Sequence, residues 1–206
     1  KIPEGSRHAK GKAIINLLPR LEEGEYVETA IPIHEFDEEH YLVFITKKGI
    51  IKKTTLSAYS NIRVNGVRAI NLEKDDELIE TKLSDGKQTI MIATANGQAC
   101  RFNEQEVRPM GRVTRGVIGI RLRKDDKVVS MAVVGEEGNL LTITENGFGK
   151  RSPIIEYRKT HRGSKGVRTI VTNKRNGQVI YVKEVIEEDE IMLTSKDGMI
   201  VRIPVK

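Results

Sequence analysis

Short apolar runs and short polar turns alternate along the whole chain, and the alternation has a long period. Residues 42–45, 90–93 and 191–193 are apolar, and so are 140–143 apart from Thr142. Each run ends at a turn that closes on glycine: Thr46-Lys47-Lys48-Gly49, Thr94-Ala95-Asn96-Gly97, Thr144-Glu145-Asn146-Gly147 and Ser195-Lys196-Asp197-Gly198. A second strand-like run follows each turn, with a basic residue four positions after the glycine: Lys53, Arg101, Arg151 and Arg202. The turn glycines are spaced 48, 50 and 51 residues apart. Self-similarity at a fixed period of about fifty marks a propeller or solenoid array, in which one unit cannot bury its apolar face alone.

A second set of glycines keeps the same beat. Gly11, Gly66, Gly116 and Gly166 open the runs Gly11-Lys12-Ala13-Ile14, Gly66-Val67-Arg68-Ala69-Ile70, Gly116-Val117-Ile118-Gly119-Ile120 and Gly166-Val167-Arg168-Thr169-Ile170. Polar turns come next, at residues 22–24, 74–77, 124–127 and 174–177, and they lead into strand-like runs at 26–33, 78–83, 128–134 and 178–185. Asn-Gly and Asp-Gly suit hairpin turns because both central positions tolerate positive φ. The Val, Ile and Thr content between turns suits strands. Helix is confined to single turns at residues 35–39 and 104–107. The pattern therefore predicts an all-β, propeller-like array of about four four-stranded blades forming one domain over residues 1–206. Its units run approximately over 1–41, 42–89, 90–139 and 140–190, with 191–206 a half unit. Half a unit at each end leaves a closed ring and an open arc equally available. The chain also begins without Met, which points to a piece of something longer.

Composition narrows the class. Of the 206 residues, 38% are apolar and 31% charged, the balance of a folded chain rather than a disordered one. No apolar run approaches the roughly 20 residues of a membrane span, so no membrane partner is expected. Residues 1–4 lack the apolar stretch of a signal peptide. The single cysteine, Cys100, rules out an internal disulfide, fits a reducing cytosol and reads as a small buried side chain. Four scattered histidines lack metal-ligand spacing, and Asp75-Asp76 and Asp125-Asp126 sit in turns where Asp is favoured for backbone hydrogen bonding, so no metal and no cofactor is expected. Residues 5–12 resemble a phosphate loop only superficially: the glycine spacing is one too long and no Ser or Thr follows Lys12.

The net charge of +6 favours an anionic partner, and its distribution is more telling than its size. Each loop before a Gly-led strand is basic. The loops carry Arg7, Lys10 and Lys12; then Arg63 and Arg68; then Arg108, Arg112 and Arg115; then Arg158, Lys159, Arg162, Lys165 and Arg168. In three of the four, an Arg stands four positions before the glycine. Lys52, Lys53, Arg101, Lys150, Arg151 and Arg202 add charge from the strands. Equivalent positions in an array fall along one rim, so these residues are expected to form a positive stripe, with acidic residues segregated to other turns. Cations at regular spacing match a run of phosphates, and such binding is sequence-independent and salt-sensitive. The basic loops contain no aromatic residue, which points to a duplex backbone rather than to stacked single strands.

Several stretches together resemble a known family. Ile2-Pro3-Glu4-Gly5-Ser6-Arg7, residues 10–19, Arg115-Gly116-Val117-Ile118-Gly119-Ile120-Arg121-Leu122 and Glu145-Asn146-Gly147-Phe148-Gly149-Lys150-Arg151 closely resemble the C-terminal domain of bacterial DNA gyrase A, in the right order over essentially the whole chain. The resemblance implies a β-pinwheel, a disc whose blades exchange strands. Duplex DNA would wrap its basic rim, in the bacterial cytoplasm at the nucleoid. The fragment would be a non-catalytic part of an ATP-dependent type II topoisomerase that introduces negative supercoils. Its partners would be the gyrase A catalytic core and the ATPase protein, gyrase B. The DNA-cleaving tyrosine of the family belongs to a different domain. The family's basic box, Q-R-R-G-G-K-G, would lie before Lys1; Thr160-His161-Arg162-Gly163-Ser164-Lys165-Gly166 is its nearest counterpart here. Without that box the chain is expected to bend DNA less than the full domain. The alternatives are the corresponding C-terminal domain of topoisomerase IV and a propeller-like protein-interaction module.

Overall fold

The computed structural model describes residues 4–6, 8–11, 24–63 and 66–205. The unit is a hairpin of two strands. In the unit at 42–89, counted as the first from here on, β1 (Tyr41–Thr46) and β2 (Ile50–Thr55) pair antiparallel, with Val43 opposite Lys53. β3 (Leu78–Ser84) adds to the free edge of β1. The second unit repeats this with β4 (Thr89–Thr94), β5 (Gln98–Asn103) and β7 (Val128–Val134), and the third with β8 (Asn139–Thr144), β9 (Gly149–Pro153) and β11 (Val179–Val185).

The remaining edge is filled by the following unit. β6 (Val117–Ile118) comes after β5 in sequence but pairs with β2, Val117 opposite Ile51. β10 (Val167–Arg168) comes after β9 but pairs with β5, Val167 opposite Ala99. The sheet orders are therefore β3-β1-β2-β6 and β10-β5-β4-β7, then a three-stranded β11-β8-β9 and the hairpin of β12 (Glu190–Thr194) with β13 (Ile200–Pro204). This is the all-β array expected from the repeat and the pinwheel that the resemblance implies, with strands exchanged between blades. Two of its sheets have four strands; among the described residues β9 has no exchanged partner, and β12 and β13 pair only with each other. The run at 26–33 was expected as a strand and contains none. A strand needs a hydrogen-bonding neighbour, and none of the sheets among the described residues includes this segment. Residues 35–39 hold bends rather than a helical turn.

One strand shows how the pattern builds the core. Successive side chains of a strand point to opposite faces. β4 lies between β5 and β7, and all six of its residues are buried. Ile90 and Ile92 point into a cluster with Val43, Ile51, Phe102 and Met131, between the first and second sheets. Met91 and Ala93 point the other way, to Leu140, Ile154, Tyr157 and Val182 of the third unit. A run of apolar residues with no polar face thus serves two seams at once. The hub is set by the inner strands: β3 and β11 both pack on β7. Glu80 of β3 accepts from the Met131 amide of β7 at 2.8 Å, and Ser130 of β7 donates to the Val182 carbonyl of β11 at 3.2 Å. The exchanged strands β6 and β10 occupy the opposite edges of their sheets, which face the perimeter.

The polar turns hold themselves. Asp75 and Asp125 take φ of 59° and 57°, a conformation Asp tolerates better than most residues. Asp76 accepts from the amides of Lys48 and Glu77, and Asp126 from those of Asn96 and Lys127.

Candidate nucleic-acid interface

Each outer strand ends in a short 3-10 turn: Leu56–Tyr59, Glu104–Glu106 and Ile154–Glu156. The basic loop follows, and in the second and third units it crosses to the outer edge of the preceding sheet, where β6 and β10 lie. The basic loops are therefore perimeter structures because of the strand exchange itself.

Three of the expected rim residues are not on the rim. Lys52 is fully buried, and Lys53 and Arg101 are 4% and 3% exposed. Their strands are outer strands, but the next unit's loop lies over them, with bridges from Lys53 to Pro109 and from Arg101 to Lys159. Their charge is met inside. The Lys53 ammonium donates to the Glu104 carbonyl at 3.2 Å and stands 3.5 Å from the Glu104 carboxylate, which also accepts from the Ser84 hydroxyl and the Gln88 amide. Arg101 donates through Nη1 to the carbonyls of Ile154 and Tyr157, both at 3.0 Å, and through Nη2 to Glu136 at 3.0 Å. Lys52 donates to the carbonyls of Ala69 and Arg112. The sequence carried a warning, since adjacent Lys52 and Lys53 on one strand point to opposite faces and cannot both face one rim. Arg151 and Arg202, at the same repeat position as Lys53 and Arg101, are exposed, and Arg202 pairs with Glu190.

The acidic residues do not keep to other turns. Arg115 pairs with Glu73 at 2.7 Å. Lys159 pairs with Glu136 at 2.6 Å. Hydrogen bonds from Lys159 and Thr89, with the Arg101 charge nearby, hold the Glu136 carboxyl below its usual range. Arg162 donates to the carbonyls of Glu106 and Ile118, at 3.0 and 3.2 Å, and its amide meets the Glu106 carboxylate at 3.1 Å. Glu73, Glu106 and Glu136 are isolated in sequence, and nothing in the repeat pattern marked them as anions of the basic loops.

The other expected residues remain free. Lys10, Arg63, Arg68, Arg108, Lys150, Arg151, Arg158, Lys165 and Arg168 are exposed and Arg112 is half-buried, and none of these side chains makes an ion pair or hydrogen bond among the described residues. Arg7 and Lys12 lie outside the described residues. The structure brings Arg63, Arg68 and Arg112 together around one surface depression. Lys150 and Arg151 line another, between β9 and the β12–β13 hairpin.

Other chemistry is sparse. Among the described residues no group of three or more His, Cys, Asp or Glu side chains could hold a metal ion, and no helix is long and apolar enough to cross a membrane. Cys100 is fully buried with its sulfur 3.0 Å from the Ser164 hydroxyl, and burial pushes its thiol pKa up.

Comparison with known proteins agrees with this architecture. The sequence model of the family described as DNA gyrase C-terminal domain, beta-propeller, matches residues 1–34, 40–83, 88–135, 138–185 and 189–206. The DNA gyrase A protein of Clostridium acetobutylicum is 52% identical over 205 residues, covering 100% of this chain and 25% of that protein. The DNA gyrase A protein of Halalkalibacterium halodurans is 52% identical over 206 residues, again 25% of its length. The chain thus spans about a quarter of the length of these relatives. Among solved structures, the C-terminal domain of DNA topoisomerase IV superposes with a TM-score of 0.86 at 31% identity, over 95% of this chain and 61% of that one. The DNA gyrase A C-terminal domain does so with a TM-score of 0.86 at 28% identity, over 94% and 65%.

Proposed function

Since this chain belongs to the DNA gyrase C-terminal domain family, we propose that it binds duplex DNA without regard to sequence and bends it along the pinwheel's perimeter. The observation that carries this reading is the set of cations on perimeter loops, Arg63, Arg68, Arg108, Arg112, Arg158, Lys165 and Arg168, which have no ion pair among the described residues. An arginine that has no carboxylate to leave meets a phosphate at lower cost than one already paired. The domain does no bond chemistry of its own. In the longer protein it presents a curved DNA segment to the gyrase A catalytic core, whose strand passage, driven by the gyrase B ATPase in the bacterial cytoplasm, introduces negative supercoils.

The test is a gel-shift series over salt on a long duplex, with energy transfer between the DNA ends. If roughly 6 to 8 phosphates are neutralised, log K falls against log salt with a slope of about −5 to −7. The ends draw together on binding. Exchanging Arg158, Lys165 and Arg168 for glutamine together flattens the slope by roughly 3, because each phosphate contact contributes about 0.9. An unchanged slope would remove the perimeter from the interface. Steep binding without end-to-end approach would make the domain a tether rather than a bender.

A further inference from the structure

The two loops that carry an exchanged strand onto the preceding sheet cover the same repeat positions and differ in their charge chemistry. Where the third unit's loop crosses onto the second sheet, the position under the loop is Cys100, whose sulfur sits 4.0 Å from the carbonyls of Gly119 and His161. The arginine of that loop, Arg162, is engaged by Glu106. Where the second unit's loop crosses onto the first sheet, the same position is Lys52, and its ammonium donates to the carbonyls of Ala69 and Arg112. Ala58 stands where the second unit has Glu106, and among the described residues Arg112 meets no carboxylate. Arg63, Arg68 and Arg112 instead converge on a depression of about 480 Å³ with Asn61 and no acidic residue in its wall.

We propose that this depression is a phosphate socket, in which a DNA phosphodiester seats among Arg63, Arg68 and Arg112 while Lys52 acts from below as a positioning residue that pins the Arg112 backbone to the neighbouring loop. The inference rests on the DNA-binding reading and makes the perimeter unequal: the crossing over Lys52 holds its phosphate more tightly than the crossing over Cys100. Planar guanidiniums offer forked donors that match phosphate oxygens two at a time. Among the described residues Lys52 has no anion of its own. Around its ammonium stand the Phe44 ring from β1, the Ala69 carbonyl, the Tyr59 hydroxyl that also reaches Ala69, and the carbonyl and charge of Arg112. Burial and the Arg112 charge lower its pKa to about 8. A phosphate arriving above would restore its proton affinity, so binding takes up a proton and weakens as pH rises past about 8.

The experiment compares duplex affinity of the wild-type chain with Arg112→Gln, Arg68→Gln and Arg162→Gln, each checked for folding by thermal melt. The socket variants are expected to lose about tenfold in affinity each, and Arg162→Gln less than threefold. Equal losses at Arg112 and Arg162 would overturn the proposal. Affinity from pH 7 to 9 is then measured for the wild type and Lys52→Met. The fall above pH 8 is expected in the wild type and absent in the variant; parallel profiles would overturn the role of Lys52. If Lys52→Met does not fold, Arg112→Gln replaces it, since without a seated phosphate its affinity is also flat across pH 8. Should the wild type bind no DNA at any salt, the DNA reading fails, and the socket is judged by inorganic phosphate titrated against the arginine Nε–H resonances. Saturable shifts lost in Arg112→Gln support a socket for free phosphate, and their absence overturns it.

Discussion

Replacing Arg101 by methionine is expected to lower the unfolding free energy by about 3 kcal/mol and to leave the salt slope of DNA binding unchanged. The two halves of that result separate a buried clamp from a rim contact. Arg101 spends one nitrogen on the carbonyls of Ile154 and Tyr157, which belong to the next unit's turn and are themselves buried. Methionine fills much of the volume but donates nothing, and each orphaned buried acceptor costs about 1–3 kcal/mol. Loss of the Glu136 contact adds little, because that carboxylate is 61% exposed and keeps Lys159. The side chain is not perfectly satisfied, since its Nε is buried without a partner, and this offsets part of the loss. For a chain of this size the thermal midpoint should drop by roughly 6–12 °C, measured by circular dichroism. Arg151→Met, at the equivalent position of the third unit, is the control: it is exposed and unclamped, and its cost should stay within about 0.5 kcal/mol. A flattened salt slope with unchanged stability in Arg101→Met would return Arg101 to the rim.

That pair shows which part of the molecule was legible in the sequence. The hairpins were, because apolar runs closed by glycine turns, repeating about every fifty residues, can be read directly from the chain. The basic loops were visible as clusters, and strand exchange carries them to the perimeter. Burial of one repeat position was not, because it depends on what lies above it. Lys53 and Arg101 are covered by the following loop while Arg151 is open, and no residue in the strand itself encodes the difference. The carboxylates were missed for the same reason. Glu136 lies 35 residues from Arg101 and Glu106 lies 56 from Arg162, so their pairing exists only once the seams form. The run at 26–33 has the composition of a strand, but composition does not provide the neighbouring edge.

The turn glycines make the same point with the larger consequence. Gly97→Ala should destabilise the fold by more than about 3 kcal/mol, whereas Gly147→Ala should cost about 1 kcal/mol. In sequence the two turns are near copies, Thr94-Ala95-Asn96-Gly97 and Thr144-Glu145-Asn146-Gly147. In conformation they are near copies too, with φ of 78° and 77°, so the left-handed strain of an alanine, about 1–2 kcal/mol, applies to both. They differ in what surrounds them. A Cβ on Gly147 meets nothing within 4 Å, but on Gly97 it would stand 2.2 Å from the Ile170 carbonyl oxygen. That oxygen is backbone and cannot rotate away. Relief requires the turn to withdraw from the third unit, which also breaks the hydrogen bond from the Thr169 amide to the Gly97 carbonyl at 2.9 Å and strains the nearby pairing of Val167 with Ala99. Urea unfolding of both variants measures the contrast. Equal costs would mean that the seam yields without penalty, and the blades would then be joined by their hydrophobic clusters alone. A large difference would place part of the array's rigidity in the turn tips, where only a residue without a side chain lets one blade's backbone lie against the next.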